Sequence, residues 1–456
     1  MNASKKCHCS DRLLIGEVLT VIIVDTALAK RLDAGNPIRV SMVGAGYMGR
    51  GVTLQIVSAM PGIRLVAISN RTLSEAERAY RDAGVESVRQ VSSQSELEQA
   101  IDQGQYAVTD NPMLLCRAGQ VEAVIETTGE VEFGTQVALE AIRNGKHLVL
   151  LNAEVDASIG PILKVYADRA GTVYTYSDGD EPGVAMNLFR FVKSVGYKPV
   201  LMGQIKGFLN RYRNPETQQE FAAKHQQKAA MVASFADGSK LALESAVLGN
   251  ATGFVPGQRG MYGHQCAHVK ELLTKFSVND FANGGLVDFV LGAEPHTGAF
   301  VVGYNDHPIK RNYMGYFKMG DGPLYIFYTP FHLPHIQLPH SVARAVLFND
   351  ATLAPAGRPV CDTLAAAKRD LKAGEVLDGM GGFTCYGLVD SYEACRRDDL
   401  LPMALSVGCR LKHDVPKDQP ISYRDVVLPR DRLCDKIRAE QTVYFEKKRP
   451  LVADIR

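Results

Sequence analysis

The chain has 456 residues, 22% of them charged, and a formal net charge of +1. That length accommodates more than one domain around a sizeable core. The even charge balance excludes a groove for nucleic acid built on surplus basic residues, and it excludes an acidic solvating tail. What remains is small-molecule chemistry, including anionic substrates met by a few local cations.

Residues 1–36 read as an N-terminal extension and helix. Lys5, Lys6 and Arg12 precede an apolar stretch, 13–24, and Ala27-Leu28-Ala29 resembles a cleavage site, which together outline a secretory signal. Glu17 interrupts the apolar stretch, and residues 25–32 also read as the start of a capped amphipathic helix leading into the first strand. The nine cysteines form no compact disulfide framework, which points to reduced thiols and a cytoplasmic protein. Cys7-His8-Cys9 has metal-ligand chemistry, but no second pair stands at zinc spacing. No apolar run is long enough to span a bilayer.

Residues 37–182 alternate strand and helix signals, which predicts an α/β unit with a doubly wound parallel sheet. The apolar run 38–43 is followed by Gly44-Ala45-Gly46-Tyr47-Met48-Gly49, a helical stretch at 50–60 and a second strand at 63–69. A GxGxxG between strand and helix is the dinucleotide-binding fingerprint. Gly44 permits the tight turn, Gly46 lets a pyrophosphate approach the backbone, and Gly49 lets the helix pack close to the sheet. The second strand ends in Ser69-Asn70-Arg71-Thr72, with no carboxylate to bind a ribose 2′-hydroxyl or repel a 2′-phosphate. Asn70 and Arg71 therefore favour NADP(H) over NAD(H). The later strand ends place Thr127, Thr128, Gly129 and Asn152 on the same face, with Asp178, Asp180 and Glu181 beyond.

From 183 to 355 the pattern changes to an α+β unit suited to substrate binding or assembly. Strand-like stretches are expected at 198–206, 230–236, 241–248, 300–304 and 323–328. A short Ala/Pro/Gly linker leads to a small β unit at 360–430 and a tail at 431–456.

Residues 144–154, Asn-Gly-Lys-His-Leu-Val-Leu-Leu-Asn-Ala-Glu, resemble the corresponding strand of homoserine dehydrogenases. Gly179-Asp180-Glu181-Pro182, Asn250-Ala251-Thr252-Gly253 and Phe331-His332-Leu333, with the glycine loop, make residues 20–440 similar to the deoxyxylulose-5-phosphate reductoisomerase-like (DRL) proteins of that superfamily. The stretches 366–375 and 415–421 resemble a SAF domain. The resemblance implies a Rossmann domain, a central α+β domain, NADP(H), a homo-oligomer, and reductoisomerisation of deoxyxylulose 5-phosphate to methylerythritol phosphate, with a divalent metal as a candidate cofactor. One departure stands out: homoserine dehydrogenases carry a lysine where this chain has Glu154. A homoserine dehydrogenase-like enzyme on another alcohol or aldehyde, or a non-enzymatic NADP(H) sensor, are the alternatives.

Hydride transfer needs a group that handles the alcohol or carbonyl proton. Lys206, at a strand end, could polarise a carbonyl or bind phosphate, or could be a surface lysine. Asp180, with Asp178 and Glu181, could hold a metal or substrate hydroxyls, or could cap a helix. Glu244 is expected in an apolar strand, where a carboxylate is either functional or solvent-facing. His264 and His332 lie in loops as acid/base candidates, though a lone histidine is more often structural. Arg211, Arg213 and Arg259 could meet a phosphate.

Overall fold

The computed structural model describes residues 23–447. Cys7-His8-Cys9 and most of the stretch read as a signal lie outside them. Helix α1 (Ile23–Asp33) leads into β1 (Ile38–Val43), α2 (Tyr47–Ala59), β2 (Ile63–Ser69), α3 (Leu73–Asp82), β3 (Arg89–Gln90), α4 (Gln94–Asp102), β4 (Ala107–Thr109) and α5 (Pro112–Arg117). The unit continues through β5 (Ala123–Glu126), α6 (Val131–Arg143), β6 (His147–Leu150), α7 (Ala153–Ala170) and β7 (Tyr174–Tyr176). These strands form a seven-stranded parallel sheet in the order β3-β4-β2-β1-β5-β6-β7. Helices cover both faces, so central strands such as β1 and β5 are apolar and almost wholly buried. The order reverses at β1, between β2 and β5, and in such sheets the crevice beyond the carboxyl ends at that point receives the ligand.

Helix α8 (Glu181–Ser194) carries the chain to β8 (Lys198–Lys206). Three helices follow: α9 (Gln219–Lys224), α10 (Ala229–Ala236) and α11 (Ser239–Thr252). Here the structure corrects the expectation of strands at 230–236 and 241–248. Both stretches are helices: α11 buries twelve residues from Ser239 to Ala251, and α10 is apolar even at its exposed positions, Ala230 and Phe235. A helix apolar on every side loses the amphipathic stripe and reads like a buried strand.

A second sheet is completed by β9 (Val255–Pro256), β10 (His264–Gln265), β11 (Leu286–Leu291), β12 (Ala299–Tyr304) and β13 (Leu324–Thr329), in the order β10-β11-β8-β12-β13, with β9 beside β11. Strands β8 and β11 are parallel, and β12 runs against β8. A helix, α12 (Pro308–Tyr316), joins β12 to β13. Then α13 (Pro334–Phe348) returns to the first unit, where Leu338, Val342 and Ala343 share a core with Val40, Val52 and Ile68.

The remaining chain pairs β14 (Cys361–Ala367) with β15 (Cys385–Ser391), and after α14 (Tyr392–Arg397) pairs β16 (Arg410–Leu411) with β17 (Val426–Val427). The last helix, α15 (Leu433–Lys447), is fixed to the first unit by Arg438, which donates to the Ser158 carbonyl at 2.7 Å and is paired with buried Asp362.

Candidate active site

The glycine loop has an environment suited to each expected role. Gly44 has φ 106°, and a Cβ there would lie 2.7 Å from Thr127 Oγ1. A Cβ on Gly49 would lie 2.3 Å from the Gly44 carbonyl oxygen. Gly46 is exposed, and among the described residues nothing lies within 4 Å of where its Cβ would be. The first two glycines are thus required by the protein's own packing, whereas Gly46 opens onto free space at the N-terminus of α2, where unpaired N–H groups favour an anion. Asn70 holds this loop: its Oδ1 accepts from Ala45 N at 3.1 Å and its Nδ2 donates to the Thr72 carbonyl. Arg71 is exposed beside it. Tyr47 presents its ring edge to His335 of α13, and Met48 is half-buried.

The loop after β5 lies alongside. Thr127 Oγ1 donates to the Val43 carbonyl at 3.1 Å, and Gly129 has φ 68°. Thr128 donates its N–H to buried Glu126 at 2.8 Å, and Asn152, which caps α7, donates Nδ2 to the same carboxylate at 2.7 Å. Burial pushes the Glu126 carboxyl up to about 7, against the pull of those donors.

Beyond them lies a buried charged cluster that five elements assemble. Asp180 and Glu181 stand at the start of α8, Lys206 ends β8, Lys240 and Glu244 project from α11, Glu154 opens α7, and His332 precedes α13. Lys206 Nζ is hydrogen-bonded to Glu181 Oε1. His332 Nδ1 lies 3.9 Å from the same oxygen and 3.0 Å from Thr297 Oγ1. Lys240 Nζ lies 3.7 Å from Glu154. Tyr176 donates its hydroxyl to Asp180.

Opposed forces set the protonation of this cluster. Burial would raise Glu181, but Lys206 and His332 hold it below the usual carboxylate range. Burial would strip Lys206 of its proton, but Glu181 and Glu244 keep it charged. Lys240 is likewise raised against burial by Glu154 and Glu244. Glu244 goes the other way: burial, then Glu181 and Asp180, push its carboxyl well above the usual carboxylate range. Among the described residues, Asp180, Glu181 and Glu244 are the acidic group that can each offer one oxygen to a common point, those three oxygens lying within 4.8 Å of one another, and Glu244 Oε2 has no hydrogen-bond partner. A cavity of about 570 Å³ opens at the ends of β8 and β11, lined by Gly207, Phe208, Leu209, Cys266 and Leu291.

Of the residues expected to act, the structure brings Asp180, Lys206 and Glu244 together. It does not bring His264 there: this residue sits in β10, stacked on Tyr262 and edge-on to Phe276, with burial lowering its pKa. Asp178 is turned away, accepting from Asn187 at 2.8 Å. Arg259 is taken by Asp390 and Asp398 at 2.7 and 2.9 Å, and Arg211 lies over the Tyr386 ring. Sequence reasoning missed Lys240; its signal was the Asp237-Gly238-Ser239 helix start directly before it.

Residues 179–338 match the family model described as oxidoreductase DRL, catalytic domain. That span holds every member of the cluster except Glu154. No curated protein matches the chain. Among solved structures, the chain is similar to a homoserine dehydrogenase from Thiobacillus denitrificans, with 13% identity over 85% of this chain and 98% of that one, and a TM-score of 0.42. It is similar to a probable dehydrogenase from Thermotoga maritima, with 11% identity over 70% and 91% and a TM-score of 0.39. A biliverdin reductase from Synechocystis, in complex with biliverdin and NADP+, gives 14% identity over 64% and 80% and a TM-score of 0.33. At these values the structures carry nothing about the reaction. The matched segment follows directly on the parallel sheet that carries the glycine loop.

Proposed function

We propose that the protein is an NADP(H)-dependent oxidoreductase acting on the carbonyl or alcohol of a small polar substrate, of the polyol or sugar-phosphate class. The observation that carries this reading is Lys206, held charged on buried Glu181 inside the matched catalytic span. The sharpest version, reductoisomerisation of deoxyxylulose 5-phosphate to methylerythritol phosphate, rests on the motif resemblance alone.

The residues present suit the cofactor. The open space at Gly46, the α2 N-terminus and the absence of a carboxylate at Ser69, Asn70 and Arg71 fit a dinucleotide carrying a 2′-phosphate. Bound there, the reduced nicotinamide supplies a hydride. The protein handles the proton. The Lys206 ammonium donates to the carbonyl oxygen and stabilises its growing negative charge. Glu181 keeps Lys206 protonated until that moment. His332, hydrogen-bonded to Thr297, stands 3.9 Å from the same Glu181 oxygen that Lys206 meets. The carboxylates of Asp180, Glu181 and Glu244 also fit a divalent cation, since they offer hard oxygen donors and one unpartnered oxygen. An ion held by them would supply Lewis-acid polarisation of the carbonyl.

The direct test is consumption of NADPH with deoxyxylulose phosphate and a panel of ketoses and aldehydes, with and without a divalent metal. Turnover of the first substrate with release of methylerythritol phosphate supports the sharp version. Turnover of other carbonyls alone discards that version and keeps the class. NADPH binding without any turnover leaves a sensor.

A further inference from the structure

The C-terminal unit reaches into the region that presents the charged cluster. Lys368, directly after β14, is almost wholly buried, with 4% of its side chain exposed, and points out of its own unit. Its ammonium makes three bonds: 2.8 Å to Asp237, 2.7 Å to the Arg213 carbonyl and 2.7 Å to the Gly382 carbonyl. The first two acceptors belong to the segments that matter for the site.

Asp237 stands in the turn between α10 and α11, and its other oxygen accepts from Ser239 N at 2.8 Å, in the first turn of α11. That helix carries Lys240 and Glu244. The Ser239 hydroxyl is itself tied to the C-terminal unit, accepting from Gly387 N at 2.8 Å. Arg213 lies in the loop 207–218, which begins directly after Lys206. Further ties fix that loop to the same unit: Tyr212 donates to Asp418 at 2.9 Å, and Arg211 lies over Tyr386, which is itself anchored on Asp418 at 3.0 Å. Helix α10 is pressed as closely. A Cβ on Gly381 would fall 1.9 Å from the Ala230 carbonyl oxygen, and Met231 Cε lies 3.7 Å from where a Cβ on Gly129 would stand. One buried cation therefore joins the loop after Lys206 to the start of the helix bearing Lys240 and Glu244.

We propose that Lys368 is a positioning residue of the active site, setting from the C-terminal unit the placement of Lys240 and Glu244 relative to Lys206. The catalytic consequence rests on the oxidoreductase reading above; the positioning itself does not. A site whose donors must be held within a fraction of an ångström loses rate when a support goes, even where binding survives.

The experiment compares full-length wild type with Lys368→Met, Asp237→Asn/Lys368→Met and the surface control Lys372→Met. Hydrogen exchange is read across the chain, and kcat and KM are read on whichever carbonyl the wild type reduces. In Lys368→Met, exchange in 207–218 and 237–244 is expected to rise about ten-fold, while β1, β2 and β5 stay as in wild type. Expected with it is a fall in kcat of about ten-fold with KM for NADPH little changed. The double variant, which leaves no buried carboxylate unpaired, should regain thermal stability without regaining kcat. Lys372→Met should match wild type. Uniformly faster exchange along the chain, or a double variant that regains kcat together with stability, would overturn the proposal and leave Lys368 a folding residue. A wild type that reduces no carbonyl would sink the oxidoreductase reading, and the exchange pattern would still decide the positioning.

Discussion

Lys240 faces Glu154 across 3.7 Å, and neither oxygen of that carboxylate has a hydrogen-bond partner among the described residues. The resembling homoserine dehydrogenases carry a lysine at the position of Glu154. In this chain the first turn of α7 gives an anion and α11 supplies the cation, so the positive charge reaches the region from the catalytic span. Lys240→Met should destabilise the protein by about 3 kcal/mol at pH 8, because it leaves buried carboxylates without their counter-ion. Urea denaturation of both proteins at that pH measures this.

Lys206 is predicted to dominate the chemical step. Lys206→Met should lower kcat by about 10²–10³-fold while NADPH affinity stays near wild type. Glu181→Gln should act differently. Burial lowers the Lys206 pKa and Glu181 opposes it, so removing the anion moves the alkaline limb of kcat to lower pH. A pH–rate profile of both variants separates loss of the proton donor from loss of its tuning.

The glycine loop separates fold from ligand. Gly49→Ala puts a methyl group 2.3 Å from the Gly44 carbonyl oxygen and should destabilise the protein markedly, whereas Gly46→Ala meets nothing and should melt like wild type. The second variant should nevertheless lose NADPH affinity by about ten-fold, since its methyl enters the space left for the pyrophosphate. Arg71→Ala should weaken NADPH and leave NADH unchanged. Titration by nicotinamide fluorescence, with melting curves alongside, distinguishes the three.

Much of this was legible in the chain. Parallel strands buried on both faces write themselves as apolar runs, and the fingerprint marked the switch point because Gly44 and Gly49 are demanded by local packing. Helices α10 and α11 were not legible, because enclosure removed the polar face from which helical period is read. The cluster was half legible. Lys206 and Asp180 sit at strand and helix ends where sequence reading looks, but their convergence with Lys240, Glu244 and His332 is a product of the tertiary fold. His264 and His332 look alike as loop histidines, and packing places one of them against Glu181 and the other in an aromatic stack.

Asp156 offers a test of burial. Its carboxyl accepts from the Tyr174 hydroxyl at 2.7 Å, its other oxygen is unpartnered, and burial pushes it up to about 7. The unfolded chain releases that proton at far lower pH, so the folded state binds more protons between the two values and loses stability as pH rises. Asp156→Asn should therefore stabilise the protein, with a gain that grows from about pH 4 to pH 7 and then levels. Melting temperatures of both proteins across that range check the sign.

The most direct measurement is the absorbance of NADPH mixed with purified protein and a panel of small carbonyls that includes deoxyxylulose 5-phosphate, run beside Lys206→Met. Loss of the reduced-nicotinamide band is expected with at least one carbonyl, abolished or nearly so in the variant. Undiminished absorbance with every carbonyl, or equal turnover by the variant, would overturn the oxidoreductase reading or the role given to Lys206.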